Sequence, residues 1–185
     1  MSFDLYIYVK DPSRFSVTDC QAYLDNLDFH GRFDPDFHPE AFVGCLPFVG
    51  TSDIVGDGVL YRIATEYYLD EYVFEPTPPR KLTLWERLTG KHPAEAIPEK
   101  DPFAGATHSI LLSCSYGDSL SLLLAYGMAA YAAEACNGVL YDPQDDKIYN
   151  TPSAVVQAYA ICREDLRKEK EKGCLYLHRE GDSMP

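Results

Sequence analysis

HSILLSCSY (residues 108–116), GDSLSLLLAYGMAAYAAEACNG (117–138) and GVLYDPQDDKIY (138–149) follow one another without a break, and their reading decides the fold. In the first, Ile110, Leu112 and Cys114 alternate with Ser109, Ser113 and Ser115, the period of a strand with one buried face; only Leu111 breaks the polar side. Gly117 makes the turn, and Asp118 or Ser119 supplies a side-chain oxygen to cap a helix. From Ser119 to Ala133 no residue is charged, and leucines, tyrosines and a methionine point all round the helical wheel. Such a helix has to be covered on most sides, and it is too short to cross a bilayer, which takes about 20 apolar residues. Ala125, Ala129, Ala130, Ala132 and Ala133 thin one flank, which lets the backbone lie close to a sheet. Asn137-Gly138 offers a left-handed exit, and Val139, Leu140 and Tyr141 resume a strand that Asp142-Pro143 stops. A strand returning through a buried helix predicts a right-handed parallel crossover.

Outward from that unit, FDLYIYVK (3–10) alternates Phe3, Leu5, Ile7 and Val9 with Asp4, Tyr6, Tyr8 and Lys10, a second half-buried strand. Ser16 and Asp19 have the spacing of a capping box, and Val17, Cys20, Leu24 and Leu27 recur at helical spacing up to about Asp28. The stretch DFHGRFDPDFHPE (28–40) is aromatic but interrupted by Gly31 and Pro35, which predicts a structured loop. AFVGCL (41–46) and VLYRIATEYYLDEYVF (59–74) predict strands joined by the turn GTSDIVGDG (50–58), the second being either one bulged strand or two. Six prolines between Pro76 and Gly105 mark an insertion with a short helix at LTLWERLTG (82–90), expected to fold back over the sheet. DDKIYN (145–150) predicts a short strand, and Thr151-Pro152 opens a last helix with Val155, Tyr159, Cys162 and Leu166 as its buried stripe. Beyond Arg163 that helix is expected to be solvated, with Glu164 and Lys168 at pairing distance, and CLYLHRE (174–180) to add an edge strand. The expected architecture is a single domain, 1–185, of the α+β class. In detail it is a ferredoxin-like sandwich, a mixed sheet with helices on one face, elaborated by the Pro-rich insertion 76–105 and the C-terminal helix.

Sixteen Lys and Arg against 29 Asp and Glu give a net charge of -13, and residues 1–75 hold four basic and 14 acidic side chains. Nucleic acid is a poor partner for such a surface and a basic protein a good one, although solubility also favours a negative chain. The opening MSFDLYIYVKDPS has an acid at position four and the alternation of a strand, unlike a signal peptide or anchor. A cytoplasmic protein away from membranes is therefore expected. Six cysteines without CxxC spacing fit reduced core thiols better than a disulfide framework.

Catalytic sets are incomplete. Ser113-Cys114-Ser115-Tyr116-Gly117 lies between strand and helix, the setting of a nucleophile elbow, and Asp142 and His178 follow in hydrolase order. Against a serine hydrolase using Ser115, Asp142 and His178, the first elbow glycine is Ser113 and too few parallel strands precede the serine. His30 and His38 share a loop with Asp34 and Asp36, and Cys174 stands four before His178, but neither group has the second closely spaced pair that structural zinc requires. DPQDD lacks the central glycine and closing glutamate of a calcium loop, and Gly56-Asp57-Gly58 carries an acid where phosphate would sit. No metal and no cofactor is expected.

TEYYLDEYVFE (65–75) interleaves acids with aromatics, so one strand face can present both. Aromatic anchors are typical hot spots, and charge of one sign steers an oppositely charged partner. Glu66, Tyr68, Asp70, Glu71 and Tyr72, with Asp34, Asp36 and Phe37 of the aromatic loop as a second patch, are the candidate partner-binding residues. The alternative fate of these rings is the core, with the acids left to water. MSFDLYIY and CNGVLYDPQ resemble segments of small bacterial α/β proteins that open with such a strand and close a βαβ unit with a Tyr-Asp-Pro-Gln turn. Some similar proteins are immunity proteins that neutralise a toxin. The resemblance implies a non-catalytic binding protein and transfers no functional residue; self-association is left open.

Overall fold

The computed structural model describes residues 2–56, 58–73, 102–115, 118–175 and 177. Nine strands and three α-helices are found among them: β1 (Ser2–Val9), α1 (Val17–Asn26), β2 (Phe29–Phe33), β3 (Gly44–Cys45), β4 (Phe48–Ser52), β5 (Tyr61–Arg62), β6 (Thr65–Glu71), β7 (His108–Ser115), α2 (Ser119–Ala135), β8 (Val139–Asp142), β9 (Lys147–Tyr149) and α3 (Pro152–Glu171). The class is α+β, as the sequence implies. A six-stranded sheet has the order β3-β6-β7-β1-β8-β9, and β2-β4-β5 make a separate three-stranded sheet. Hydrogen-bonded neighbours are antiparallel throughout the described ladders. Because β7 and β8 both run against β1, which lies between them, they are parallel to each other across the α2 connection.

Helix α2 sets this arrangement. Its residues are buried almost without exception, from Leu120 to Ala133, so the helix needs a wall on every side. The sheet is one wall: Leu5, Ile7 and Val9 of β1 are fully buried, opposite Leu112, Ile110 and His108 of β7. Helices α1 and α3 also pack against α2. A Cβ at Gly127 would stand 2.6 Å from Leu24 of α1 and 3.5 Å from Tyr159 of α3, so the three helices meet where α2 has no side chain.

The helix is tied down at its start. Asp118, 3% exposed, accepts the N–H groups of Leu120 and Ser121 at 3.2 and 3.3 Å on one oxygen. The other oxygen accepts the Ser121 hydroxyl and, at 3.4 Å, the N–H of Ala64 just before β6. The Ser121 carbonyl takes the Thr65 hydroxyl at 3.2 Å and the Cys114 thiol at 3.4 Å, so the first turn is bonded to both β6 and β7. A buried carboxylate is tolerable only with such a full set of donors.

Residues 28–40 correct the expectation of a loop, because 29–33 pair with β4 in full register. Phe29, Gly31 and Phe33 are a period-two set, and glycine stands where the Phe48 ring crosses the sheet: a Cβ at Gly31 or Gly50 would lie 2.6 or 2.5 Å from that ring. The aromatic residue spacing of four hid the strand period. The expected turn 50–58 likewise gives its first three residues to β4, while the strand expected at 41–46 contracts to Gly44–Cys45. The 59–74 stretch makes two strands, β5 and β6.

Ser16 accepts from the Asp19 N–H at 3.2 Å, one half of the expected capping box, but its own N–H goes to the Tyr131 hydroxyl at 3.0 Å and not to Asp19; Thr151 caps the last helix, accepting from the Ala154 N–H at 3.3 Å. Beyond Arg163 the last helix is exposed apart from Leu166, as expected, and several of its charges are paired as well. Arg163 pairs with Asp28 at 2.8 Å and Asp53 at 2.7 Å, Arg167 with Asp53 at 3.1 Å, and Lys170 donates to the Val55 carbonyl at 2.8 Å. Lys168 pairs with Asp165 at 3.0 Å instead of the expected Glu164. The LTLWERLTG helix and residues 76–101 of the insertion fall outside the described residues, while 102–105 are described; most of the 174–180 segment also falls outside, and its residues 174, 175 and 177 form no strand. No helix among the described residues is long and apolar enough to cross a membrane.

Two outcomes follow from these ties. Asp118→Ala leaves the Ala64 N–H and the first turn of α2 without acceptors and is expected to cost about 1–3 kcal/mol in urea denaturation; a loss below about 0.5 kcal/mol would contradict the capping role. Burial pushes the Asp53 carboxyl up, but hydrogen bonds from Arg163 and Arg167 outweigh it and hold its pKa below the usual carboxylate range. A depressed folded pKa stabilises above the unfolded value of about 3.9, and that contribution disappears as pH falls through the folded value. Arg163→Met is therefore expected to lower stability at neutral pH and to leave a smaller deficit at roughly pH 2, measured by denaturation at both; equal deficits would contradict the clamp.

Candidate functional site

The pleat that turns Leu5, Ile7 and Val9 toward α2 turns Asp4, Tyr6 and Tyr8 the other way, and the register carries that face across the sheet. Tyr68 of β6 is paired with Leu111 of β7, Leu111 with Tyr6 of β1, Tyr6 with Tyr141 of β8, and Tyr141 with Ile148 of β9. Five strands at about 4.8 Å spacing make this row about 20 Å wide, with cross-strand neighbours close enough to touch. One row away, Glu66, Ser113 and Asp4 are in register; on the other side stand Asp70, Ser109, Tyr8 and Val139. The result is an aromatic and aliphatic band with carboxylates on its margins.

Contacts fix the rings. Tyr8 packs edge-on to Tyr72 at 4.8 Å between centroids and against Phe103 at 4.4 Å, and Phe103 reaches Tyr141 at 6.3 Å. The Tyr68 hydroxyl donates to Glu66 at 2.9 Å and the Tyr141 hydroxyl to Asp146 at 3.2 Å. Each carboxylate keeps further acceptor capacity beside an aromatic face, a pairing that suits an incoming Lys or Arg through charge and ring together. Lys147, paired in register with Asp142 and so on the opposite phase from Ile148, forms an ion pair with Asp145.

The Tyr-Asp-Pro-Gln turn closes one end of this surface. Asp142, 2% exposed, accepts the Tyr126 hydroxyl of α2 at 2.8 Å and the N–H groups of Gln144 and Asp145 at 3.0 and 3.3 Å. With its amide oriented to satisfy both partners, Gln144 donates to the Asp4 carbonyl at 2.9 Å and accepts the Asp4 N–H at 3.2 Å. The side chain thus continues the β1 ladder where β8 stops.

Of the sequence-predicted residues, Glu66, Tyr68 and Asp70 share this face and Tyr72 joins its edge through Tyr8. Glu71 is exposed but falls on the opposite phase of β6, with Tyr67 and Leu69. Asp34 and Asp36 are exposed in the turn after β2, where the Asp36 N–H bonds the Asp34 carboxylate at 2.9 Å, and so belong to the smaller sheet. Phe37 is a correction: it is 3% exposed, stacked on Phe33 at 5.2 Å and edge-on to Tyr67 at 5.9 Å, because the smaller sheet needs its ring to close the core. Tyr6, Tyr8, Leu111, Tyr141 and Ile148 were missed as site residues, although tyrosines on the polar phase of a strand were the available signal.

For the hydrolase set, Ser115 ends β7 opposite Ser2, its side chain and all of His178 lying outside the described residues, while Asp142 is buried and engaged by Tyr126 and the turn. His30 bonds Asp25 at 3.2 Å, and the exposed Cys174 thiol donates to the Lys172 carbonyl. Among the described residues no group of three His, Cys, Asp or Glu side chains is placed to hold a metal ion. Comparisons with protein-family models, with curated proteins and with solved structures give no match to this chain.

The hydrogen bond to Glu66, with lesser help from burial, raises the Tyr68 pKa. Glu66→Gln is expected to bring it back toward the ordinary tyrosine value of about 10 in an NMR titration of the ring; an unchanged titration would mean that the pair does not persist in solution.

Proposed function

We propose that this chain is a non-catalytic binding protein whose tyrosine-bearing sheet face docks a basic protein, and that it acts as an immunity protein masking a cationic toxin in the cytoplasm. The observation that carries the reading is the row Tyr68, Leu111, Tyr6, Tyr141 and Ile148 bordered by Asp4, Glu66, Asp70 and Asp146. Tyrosine gives large contact area at small entropy cost, and its position in the centre of an acidic rim is the arrangement of an interface hot spot. The band serves as the core of the contact with the acids as rim, in an interface of the standard roughly 800 Å² per partner. A net charge of -13 adds long-range attraction for a cationic partner and speeds its approach. The resemblance of MSFDLYIY and CNGVLYDPQ to segments of proteins that include immunity proteins supports the narrower role.

The test is calorimetric titration against a cationic toxin encoded beside this chain, over a series of salt concentrations. Binding is expected, weakening as salt rises, and the triple change Glu66→Lys, Asp70→Lys, Asp146→Lys is expected to reduce affinity at least about tenfold at low salt, a change of roughly 1.4 kcal/mol. Absence of binding, or binding indifferent to the triple change, would refute the assignment.

A further inference from the structure

The outer edge of β6 is only partly covered. Gly44 of β3 stands opposite Tyr67 and Cys45 opposite Glu66, while β6 runs on to Glu71. Gly44 ends the cover. Its φ of +122° favours glycine, and a Cβ there would meet nothing within 4 Å, so the direction of the backbone and not lack of space calls for that residue. Before it the chain leaves β6, with the Phe42 ring edge-on to Phe37 at 5.1 Å and Val43 exposed.

The alternation of an antiparallel ladder decides which backbone groups this leaves open. The Thr65 carbonyl accepts the Leu46 N–H at 2.7 Å, so Thr65 faces β3; the Tyr72 N–H goes to the Thr107 carbonyl at 2.8 Å, so Tyr72 faces the β7 side. Between them Tyr67, Leu69 and Glu71 aim N–H and C=O outward, and β3 reaches only Tyr67. Among the described residues nothing pairs with the outward groups of Leu69 and Glu71. Leu69 is half-buried, and Asp70 and Glu71 are exposed.

Exposed edges are commonly blunted by lysine, proline or a bulge. Here the register with β7 is unbroken through Glu71, and the charges on β6 are all negative. A second copy would bring the same acids and a net charge of -13 to the edge, which like-charge repulsion opposes. A cationic strand meets no such obstacle. Laid along this edge, it sends alternate side chains toward Tyr68, Asp70 and Tyr72 on one side of the sheet and toward Leu69 and Glu71 on the other. Lysine or arginine then finds a carboxylate on either side and a tyrosine ring on one.

We infer that the basic partner docks by strand addition: an extended segment rich in lysine or arginine continues the line of β3 along residues 68–71 of β6. The inference rests on the proposed docking of a basic protein and adds the backbone contact that sets its register.

Two-dimensional NMR of the full chain tests it with an acetylated, amidated octapeptide of alternating lysine and valine, and with the same peptide N-methylated at every residue, which keeps the charge and removes every backbone donor. Saturable shifts and slowed hydrogen exchange of the Leu69 and Glu71 amides are expected with the first peptide, and at least about tenfold weaker binding with the second. Glu71→Pro removes an outward N–H at a strand edge, where proline is tolerated, and is expected to keep the melting temperature while lowering affinity at least about tenfold. Glu71→Gln removes the charge alone and is expected to lower affinity less than about fivefold. No saturable shift, equal binding of the two peptides, or a Glu71→Pro chain that binds as well as Glu71→Gln would each overturn strand addition, and equal binding with shifts confined to Tyr6, Tyr141 and Ile148 would leave a basic partner on the tyrosine-bearing face. Protection of Leu69 and Glu71 by the first peptide, with no binding of the neighbouring toxin, would support the edge and refute the immunity role alone.

Discussion

An α-helix without a charge from Ser119 to Ala133 cannot meet water along any stripe, and every other element answers to that constraint. The sheet covers one flank of α2, while α1 and α3 also pack against it, with Gly127 at the point where Leu24 and Tyr159 approach. Covering a helix this completely also buries the polar groups of its first turn. Asp118 resolves that by collecting donors from the turn itself and from Ala64, while the Ser121 carbonyl is shared by Thr65 and Cys114. The polar network at the helix start is thus the counterpart of the apolar packing along its length.

Burying one face of a sheet against a helix decides what the other face shows. Side chains alternate, so each buried Leu5, Ile7 or Ile110 has a neighbour aimed away from α2. In this chain many of those neighbours are tyrosines, whose rings pack on each other while their hydroxyls meet carboxylates, as in Tyr68 with Glu66 and Tyr141 with Asp146. Tyrosine suits that half-buried position because it has an apolar body and a polar tip. The acids that make the chain negative are therefore held next to aromatic surface along this face.

The central strand-helix-strand unit was legible because its signals are local. Alternation in 108–115, a capping Asp118, an uncharged run and Asn137-Gly138 all act within a few residues of where they stand. The caps at Ser16 and Thr151 were visible for the same reason. The small sheet was not legible: Phe29, Gly31 and Phe33 form a period-two face only once Phe48 from another strand is seen to lie over the glycine. Phe37 drew attention as an aromatic among acids, yet its ring fills space between Phe33, Phe42 and Tyr67, which no local rule could indicate.

Composition and periodicity by themselves determined the α+β class, the buried helix, the two best strands and the excess of negative charge, since each depends on near neighbours in the chain or on a sum over it. Which tyrosines stand in one row was decided only by the tertiary structure. Tyr6, Tyr68 and Tyr141 are far apart in sequence and become neighbours through strand register, and register is set by how β1, β6, β7 and β8 pair around a common helix. The open edge of β6 beyond Gly44 is decided at the same level, because whether a backbone group finds a partner depends on what the rest of the chain places beside it.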